Sequence, residues 1–164
     1  MIGLANIYLG LGSNIDPEEN LRLGIRELRR RYGELRVSAV YQSAAVGFSG
    51  ADFLNLVVGL EVADSPAEIH EQIEKIHSMT GRQRSEDKYV SRPLDIDLLL
   101  YDDLVVDEPL RLPRSDVLEY SFVLRPLSEL APNLVHPVSG KTLQRHWQEF
   151  PAESQPLVPV CINF

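Results

Sequence analysis

Cysteine is almost absent from this chain of 164 residues: Cys161 stands alone, with no internal disulfide open to it and no ligand cluster around it. Positive charge is scarce too. Sixteen Lys and Arg face 24 Asp and Glu, a formal net charge of −8, which argues against nucleic-acid binding because that function leaves a basic footprint. Long hydrophobic runs are missing: nothing approaches the ~20 apolar residues that span a bilayer, so no membrane role is expected. The N-terminus has no basic region, and its apolar stretch is interrupted by Asn6 and two glycines before Ser13-Asn14. It reads as a first strand rather than a signal peptide, and the protein as cytoplasmic. No Gly-x-x-x-x-Gly-Lys loop occurs, so any nucleotide binds without one. No internal repeat, low-complexity block or Ser-His-Asp arrangement is evident.

What is present is an ordinary globular composition, 44% apolar and 24% charged. The length suits one domain over residues 1–164 with a substantial core. Ala5 to Leu11 reads as a buried strand ended by Gly12-Ser13-Asn14. Asp16-Pro17-Glu18-Glu19 starts a helix, with Asp16 as the capping acid and Leu21, Ile25 and Leu28 on one face. The arginines 26, 29, 30 and 31 lie largely off that face and read as solvated charge. Leu35 to Tyr41 alternates like a strand, and Phe53 to Val62 is a second run beyond Gly47-Phe48-Ser49-Gly50. Ser65-Pro66-Ala67-Glu68 is a capping box before Ile69, Ile73 and Ile76, with Gly81 as the C-terminal cap. A strand follows at about 94–101.

That order, βαββαβ, predicts an α+β, ferredoxin-like sandwich: an antiparallel sheet with both helices on one face. From Asp102 onward Pro113, Pro126, Pro132 and Pro137 divide an appended C-terminal segment, with short helices expected near 115–119 and 127–131. The core should cover about 5–147, and the Pro-rich stretch 151–164 reads as a loosely packed tail.

The densest chemical signal is Ser91-Arg92-Pro93-Leu94-Asp95-Ile96-Asp97-Leu98-Leu99-Leu100. On a strand, Asp95 and Asp97 face one side while Ile96, Leu98 and Leu100 face the core. Two adjacent carboxylates repel unless a cation lies between them, so the pair suits a hard metal such as Mg²⁺ with phosphate oxygens. The plainer alternative is two acids on a solvated edge strand. Arg82 and Arg84, in Gly81-Arg82-Gln83-Arg84, and Lys88 and Arg92 gather cations beside the pair, as a polyphosphate requires. Phe53, Tyr89 and Phe122 lie near loops: core packing is their default role, and holding a flat heterocycle between two rings is the sharper one. His70 and His77 are seven apart, too far along a helix for a metal pair, and read as packing histidines. His136 and His146 have no evident partners.

Taken together, Leu9-Gly10-Leu11-Gly12-Ser13-Asn14, Asp52-Phe53-Leu54-Asn55, Gly81-Arg82-Gln83-Arg84 and the Asp95/Asp97 segment resemble the 6-hydroxymethyl-7,8-dihydropterin pyrophosphokinase family over roughly residues 5–147. The resemblance implies a ferredoxin-like core and, in folate biosynthesis, transfer of the terminal pyrophosphate of ATP to the pterin hydroxymethyl group with release of AMP. It implies a monomer whose partners are ATP and the reduced pterin, with two Mg²⁺ ions held by Asp95 and Asp97. By position, Arg82 and Arg92 would contact phosphates as catalytic residues, with Arg84, Lys88 and Arg114 completing the nucleotide site. Phe53 and Phe122 would sandwich the pterin, and Asn55, Ser43 and the backbone around Val46 would bind its edge. The chain departs from the family at Val90, His77, Tyr89, Ala44-Ala45, Arg114-Ser115 and Tyr120, where Gly or Ala, an acid, Trp, Pro-Pro, His-Tyr and Arg are usual. A catalytically weak pterin-binding paralogue is therefore a second reading, and a convergent Mg²⁺-nucleotide transferase a third.

Overall fold

In a computed structural model of the chain, residues 3–81 and 93–164 are described. Strand β1 (Ala5–Ser13) runs up the middle of an antiparallel sheet. It pairs with β4 (Phe53–Val62) from Ala5↔Val62 to Ser13↔Leu54, and with β5 (Asp95–Tyr101) from Ile7↔Tyr101 to Gly12↔Asp95. Beyond β4 lie β2 (Arg36–Val37) and β3 (Val40–Ser43), two halves of one strand position. Between the halves, Ser38 N–H donates to the Val57 carbonyl and Val57 N–H donates to Ser38 Oγ, so a side chain carries the ladder across the break. Helices α1 (Pro17–Tyr32) and α2 (Pro66–Met79) complete the expected βαββαβ sandwich.

Alternation sorts the sheet into two faces. Ile7, Leu9, Leu11, Leu56, Val58, Leu60, Ile96 and Leu98 pack with Leu21, Ile25 and Leu28 of α1 and with Ile69, Ile73 and Ile76 of α2. Tyr8, Val57, Leu99 and Leu100 face the other way, against Val117, Val123, Leu124, Leu127 and Leu143. Leu100 was expected beside Ile96 and Leu98. A bulge opposite Tyr8 and Leu9 puts Leu99 out of register, so Leu99 and Leu100 both turn to the second face. Asp95 and Asp97, below the bulge, keep the alternation.

Helix ends follow their local chemistry. The capping box of α2 forms, with Glu68 N–H donating to Ser65 Oγ and Ser65 N–H to Glu68 Oε1. Just past the Thr80 cap, Gly81 takes φ +72, the left-handed turn that glycine adopts without strain. Asp16 departs from expectation. It precedes α1 with φ 41, and its side chain makes no cap; its carbonyl accepts from Asn20 N–H, while Asn20 Nδ2 donates to the Ile15 carbonyl.

The C-terminal segment is an added layer on the second face. Helices α3 (Asp116–Glu119), α4 (Ser121–Leu130) and α5 (Leu143–Glu149) lie there. Pro126 sits inside α4, which begins earlier than its proline suggested. An interior proline costs about 3 kcal/mol, but Val123, Leu124 and Leu127 are buried on the sheet at about 1.5–3 kcal/mol each, which outweighs it. The tail is ordered: after a 3₁₀ turn, β6 (Val158–Val160) adds to β3 with Tyr41↔Pro159, an edge position that tolerates a missing N–H. Gln155 ties it to the α3–α4 junction, accepting from Ser121 N–H and donating to the Glu119 carbonyl.

Candidate active site

Glycine opens the site. On the second face, Gly10 of β1 lies between Val57 and Asp97, and Gly12 between Asn55 and Asp95. With no side chain at either position, the sheet there is bare floor, and a pocket of about 300 Å³ stands on it. Its walls include Ser43, Val46, Phe53, Asn55, Asp95, Asp97, Arg114, Asp116, Tyr120 and Phe122. Residues from four separate stretches of sequence thus meet at one end of β1.

One wall is polar and fixed. Asn55 is buried, and its Nδ2 donates to the Tyr41 carbonyl at 3.2 Å and to Ser43 Oγ at 2.8 Å. A carbonyl only accepts, so the amide orientation follows and Oδ1 is left toward Gly12. Ser43 Oγ accepts from Asn55 and keeps its own proton to donate. The wall therefore offers an acceptor beside a donor, the pattern that reads the edge of a heterocycle. The rings are braced rather than buried: Phe53 meets Phe48 edge-on at 6.4 Å, and Phe122 stacks on Tyr120 at 5.0 Å and 17°. Val46 is exposed on the loop at the mouth, before Gly47 at φ 81.

The opposite wall is acidic. Asp95 and Asp97 open on the pocket from β5 and Asp116 from the start of α3. Arg114 reaches over them, Nη2 3.6 Å from Asp97 Oδ1 and Nε 3.3 Å from Asp116 Oδ2. Burial alone would lower the Arg114 pKa, but Asp97, Asp116 and Asp95 together hold it above its ordinary value. The guanidinium stays charged. Two adjacent hard carboxylates facing a pocket are a donor set that fits a divalent cation, with ligand oxygens completing the shell. Among the described residues no cluster of three or more His, Cys, Asp or Glu suits a metal by itself.

Behind β5, His77 is buried on α2, its Nε2 accepting Ile96 N–H at 2.9 Å and its Nδ1 3.2 Å from Glu74 Oε1. It is a packing histidine, as expected, and it also holds the strand between the two carboxylates. His70 is exposed. His136 and His146, without partners in the sequence reading, have each other: their rings meet at 5.8 Å, His136 Nδ1 accepts from the N–H groups of Val138 and Ser139, and Ser139 Oγ lies 2.6 Å from His146 Nε2. Asp116 was missed because it gains meaning only from the loop that folds it over β5. Arg82, Arg84, Lys88, Tyr89, Val90 and Arg92 lie outside the described residues.

The family model described as 7,8-dihydro-6-hydroxymethylpterin-pyrophosphokinase matches residues 8–132. A 2-amino-4-hydroxy-6-hydroxymethyldihydropteridine pyrophosphokinase of Aquifex aeolicus is 35% identical over 161 residues, 96% of this chain and 97% of that protein. One of Synechocystis is 40% identical over 139 residues, covering 82% and 71%. The folic acid synthesis protein fol1 of Schizosaccharomyces pombe is 34% identical over 89% of this chain, but this chain spans only 20% of it. In fold the chain is similar to wild-type HPPK-DHPS of Plasmodium falciparum, with a TM-score of 0.71 at 12% identity over 90% of this chain and 45% of that one.

Proposed function

Since the chain belongs to the 7,8-dihydro-6-hydroxymethylpterin-pyrophosphokinase family, we propose that it transfers the β,γ-diphosphate of ATP to the hydroxymethyl oxygen of 6-hydroxymethyl-7,8-dihydropterin, releasing AMP, in folate biosynthesis. The observation that carries this reading is a single pocket in which an amide acceptor, a hydroxyl and two rings stand opposite a pair of strand carboxylates. AMP as product means that the bond broken joins Pβ to the oxygen on Pα, whose electron pair stays with AMP, and the bond formed joins Pβ to the pterin oxygen, which gives up its hydroxyl proton to solvent.

Asn55 Oδ1 accepts an N–H from the pterin edge, Ser43 Oγ donates to it, and the Val46 backbone closes the mouth. Phe53 and Phe122 lie on the two faces of the ring, so the hydroxymethyl group is aimed across the glycine floor at the acidic wall. Holding two reactants in register supplies much of the catalysis such a transfer asks of a protein. Asp95 and Asp97 would hold Mg²⁺, two ions when ATP is bound. The chemistry the metal would supply there is neutralisation of phosphate charge. Arg114 adds a cation on the same wall. Arg82, Arg84, Lys88 and Arg92, outside the described residues, are assigned to the phosphates on sequence alone. The enzyme acts as a cytoplasmic monomer.

The test is AMP release from ATP, measured with and without the reduced pterin and with and without Mg²⁺. Pterin-dependent, Mg²⁺-dependent AMP supports the proposal. Tight pterin binding with no AMP under any condition would favour the pterin-binding paralogue.

A further inference from the structure

Among the described residues, Arg114 is the one basic side chain lining the pocket. Its backbone is anchored on the metal-site strand, Arg114 N–H donating to the Leu99 carbonyl at 2.9 Å, two residues beyond Asp97. From that anchor the guanidinium spans Asp97 and Asp116. The hold is electrostatic rather than geometric. At 3.6 Å the Asp97 contact is longer than a bidentate fork, and the buried Nε–H, although 3.3 Å from Asp116 Oδ2, aims at no acceptor. A guanidinium so held gains from moving to acceptors that match its fork.

A divalent cation on Asp95 and Asp97 supplies the reason to move. It would set two positive charges against a guanidinium that already touches one of its ligands, in a pocket partly shielded from water, where like charges repel strongly. Resting on the reading of Asp95 and Asp97 as metal ligands, we propose that Arg114 is a displaceable counter-ion: it neutralises Asp97 and Asp116 in the ligand-free protein, gives up Asp97 when a divalent cation binds, and turns to the phosphate oxygens of the nucleotide. Displacing it opposes binding of bare metal, whereas phosphate oxygens give it a new partner, so metal and nucleotide bind with positive coupling through this one side chain.

The test uses the full chain. Mn²⁺ is titrated by electron paramagnetic resonance into wild type, Arg114→Gln and Asp95→Asn, with and without a methylene analogue of ATP. In parallel, the Arg114 Nε–H resonance of wild type is followed during Mg²⁺ addition. Without nucleotide, Arg114→Gln should bind Mn²⁺ about three- to tenfold tighter, the scale of a partly screened ion pair. With the analogue present that advantage should vanish or reverse, and the wild-type resonance should shift as Mg²⁺ saturates. A folded Arg114→Gln with unchanged or weaker Mn²⁺ affinity overturns the proposal. So does a resonance that stays put at saturation, because any gain would then reflect long-range charge alone. Should the variant not fold, the wild-type resonance decides. Mn²⁺ binding that survives Asp95→Asn overturns the metal assignment, and displacement with it.

Discussion

Position 12 separates the pterin slot from the fold. A methyl group on Gly12 would stand 3.2 Å from Asn55 Oδ1 and 3.8 Å from Phe53 Cδ1, on the floor between the polar wall and the ring. Gly12 lies in β1, outside the positive-φ positions, so alanine fits its backbone. Restricting the unfolded chain stabilises by about 0.4–1 kcal/mol, and moving the Asn55 side chain by a few tenths of an ångström costs a comparable amount. Net stability of Gly12→Ala should therefore stay within about 1 kcal/mol of wild type. Pterin binding has no such compensation. The methyl blocks either the Oδ1 acceptor or part of the ring stack, a loss of about 1–3 kcal/mol, or about 5- to 150-fold in Kd. Calorimetry with the reduced pterin in the presence of an ATP analogue, beside a urea melt, measures both quantities. Wild-type pterin affinity in a stably folded Gly12→Ala would refute the placement of the ring between Asn55 and Phe53.

Asp95→Asn or Asp97→Asn should abolish AMP release while leaving the thermal midpoint unchanged or raised, because one acid fewer relieves repulsion; near-normal rates at limiting Mg²⁺ would contradict the assignment. Phe53→Ala and Phe122→Ala should each weaken pterin binding by about 1–3 kcal/mol, with ATP affinity little changed; equal losses for both ligands would mark them as core. Gly59→Ala should destabilise by about 1–3 kcal/mol in urea, because its methyl would stand 2.8 Å from the Tyr8 ring and from the Arg36 guanidinium. Burial and then the neighbouring His146 lower the pKa of His136, and burial and then Lys141 lower that of His146. The unfolded state thus binds protons first. Stability should be full above a pH of about 6.5 and fall as pH drops below it, with the slope reduced in His136→Gln; a melting temperature flat across that range would contradict it.

The βαββαβ order was legible because each element carries a local signature: apolar runs in β1 and β4, alternation from Leu35 to Tyr41, an i, i+4, i+7 face on α1, a capping box on α2. The carboxylate pair was legible because strand period alone puts Asp95 and Asp97 together. Leu100 was not, since the bulge that turns it depends on how β5 meets Tyr8 and Leu9 of another strand. The tail misled because proline discourages a central strand, yet an edge tolerates Pro159 opposite Tyr41. Tyr41 in turn carries more than strand packing: its hydroxyl donates to Glu129, and burial followed by that carboxylate pushes its pKa up to about 12. Arg114 entered only through the family resemblance and Asp116 not at all, because nothing within their own segment says that the loop returns to β5.

Those long-range contacts explain why the carboxylates can be held at a sheet edge at all. Among the described residues β5 has β1 on one side only, and an edge strand with two like charges two residues apart should fray. Three fixtures oppose this from different elements. Leu94, fully buried against α1 near Gly24, pins the strand where it enters the sheet, and Ser13 Oγ donates to the Pro93 carbonyl beside it. His77 takes the outward N–H of Ile96, doing for the open edge what another strand would have done. Arg114 is tied to Leu99 by its backbone and offsets the carboxylate charge by its side chain. The first two act on the backbone and persist whatever binds. Of these three fixtures among the described residues, the Arg114 side chain is the one that acts through charge, so it is the one of the three that a cation can replace without loosening the strand.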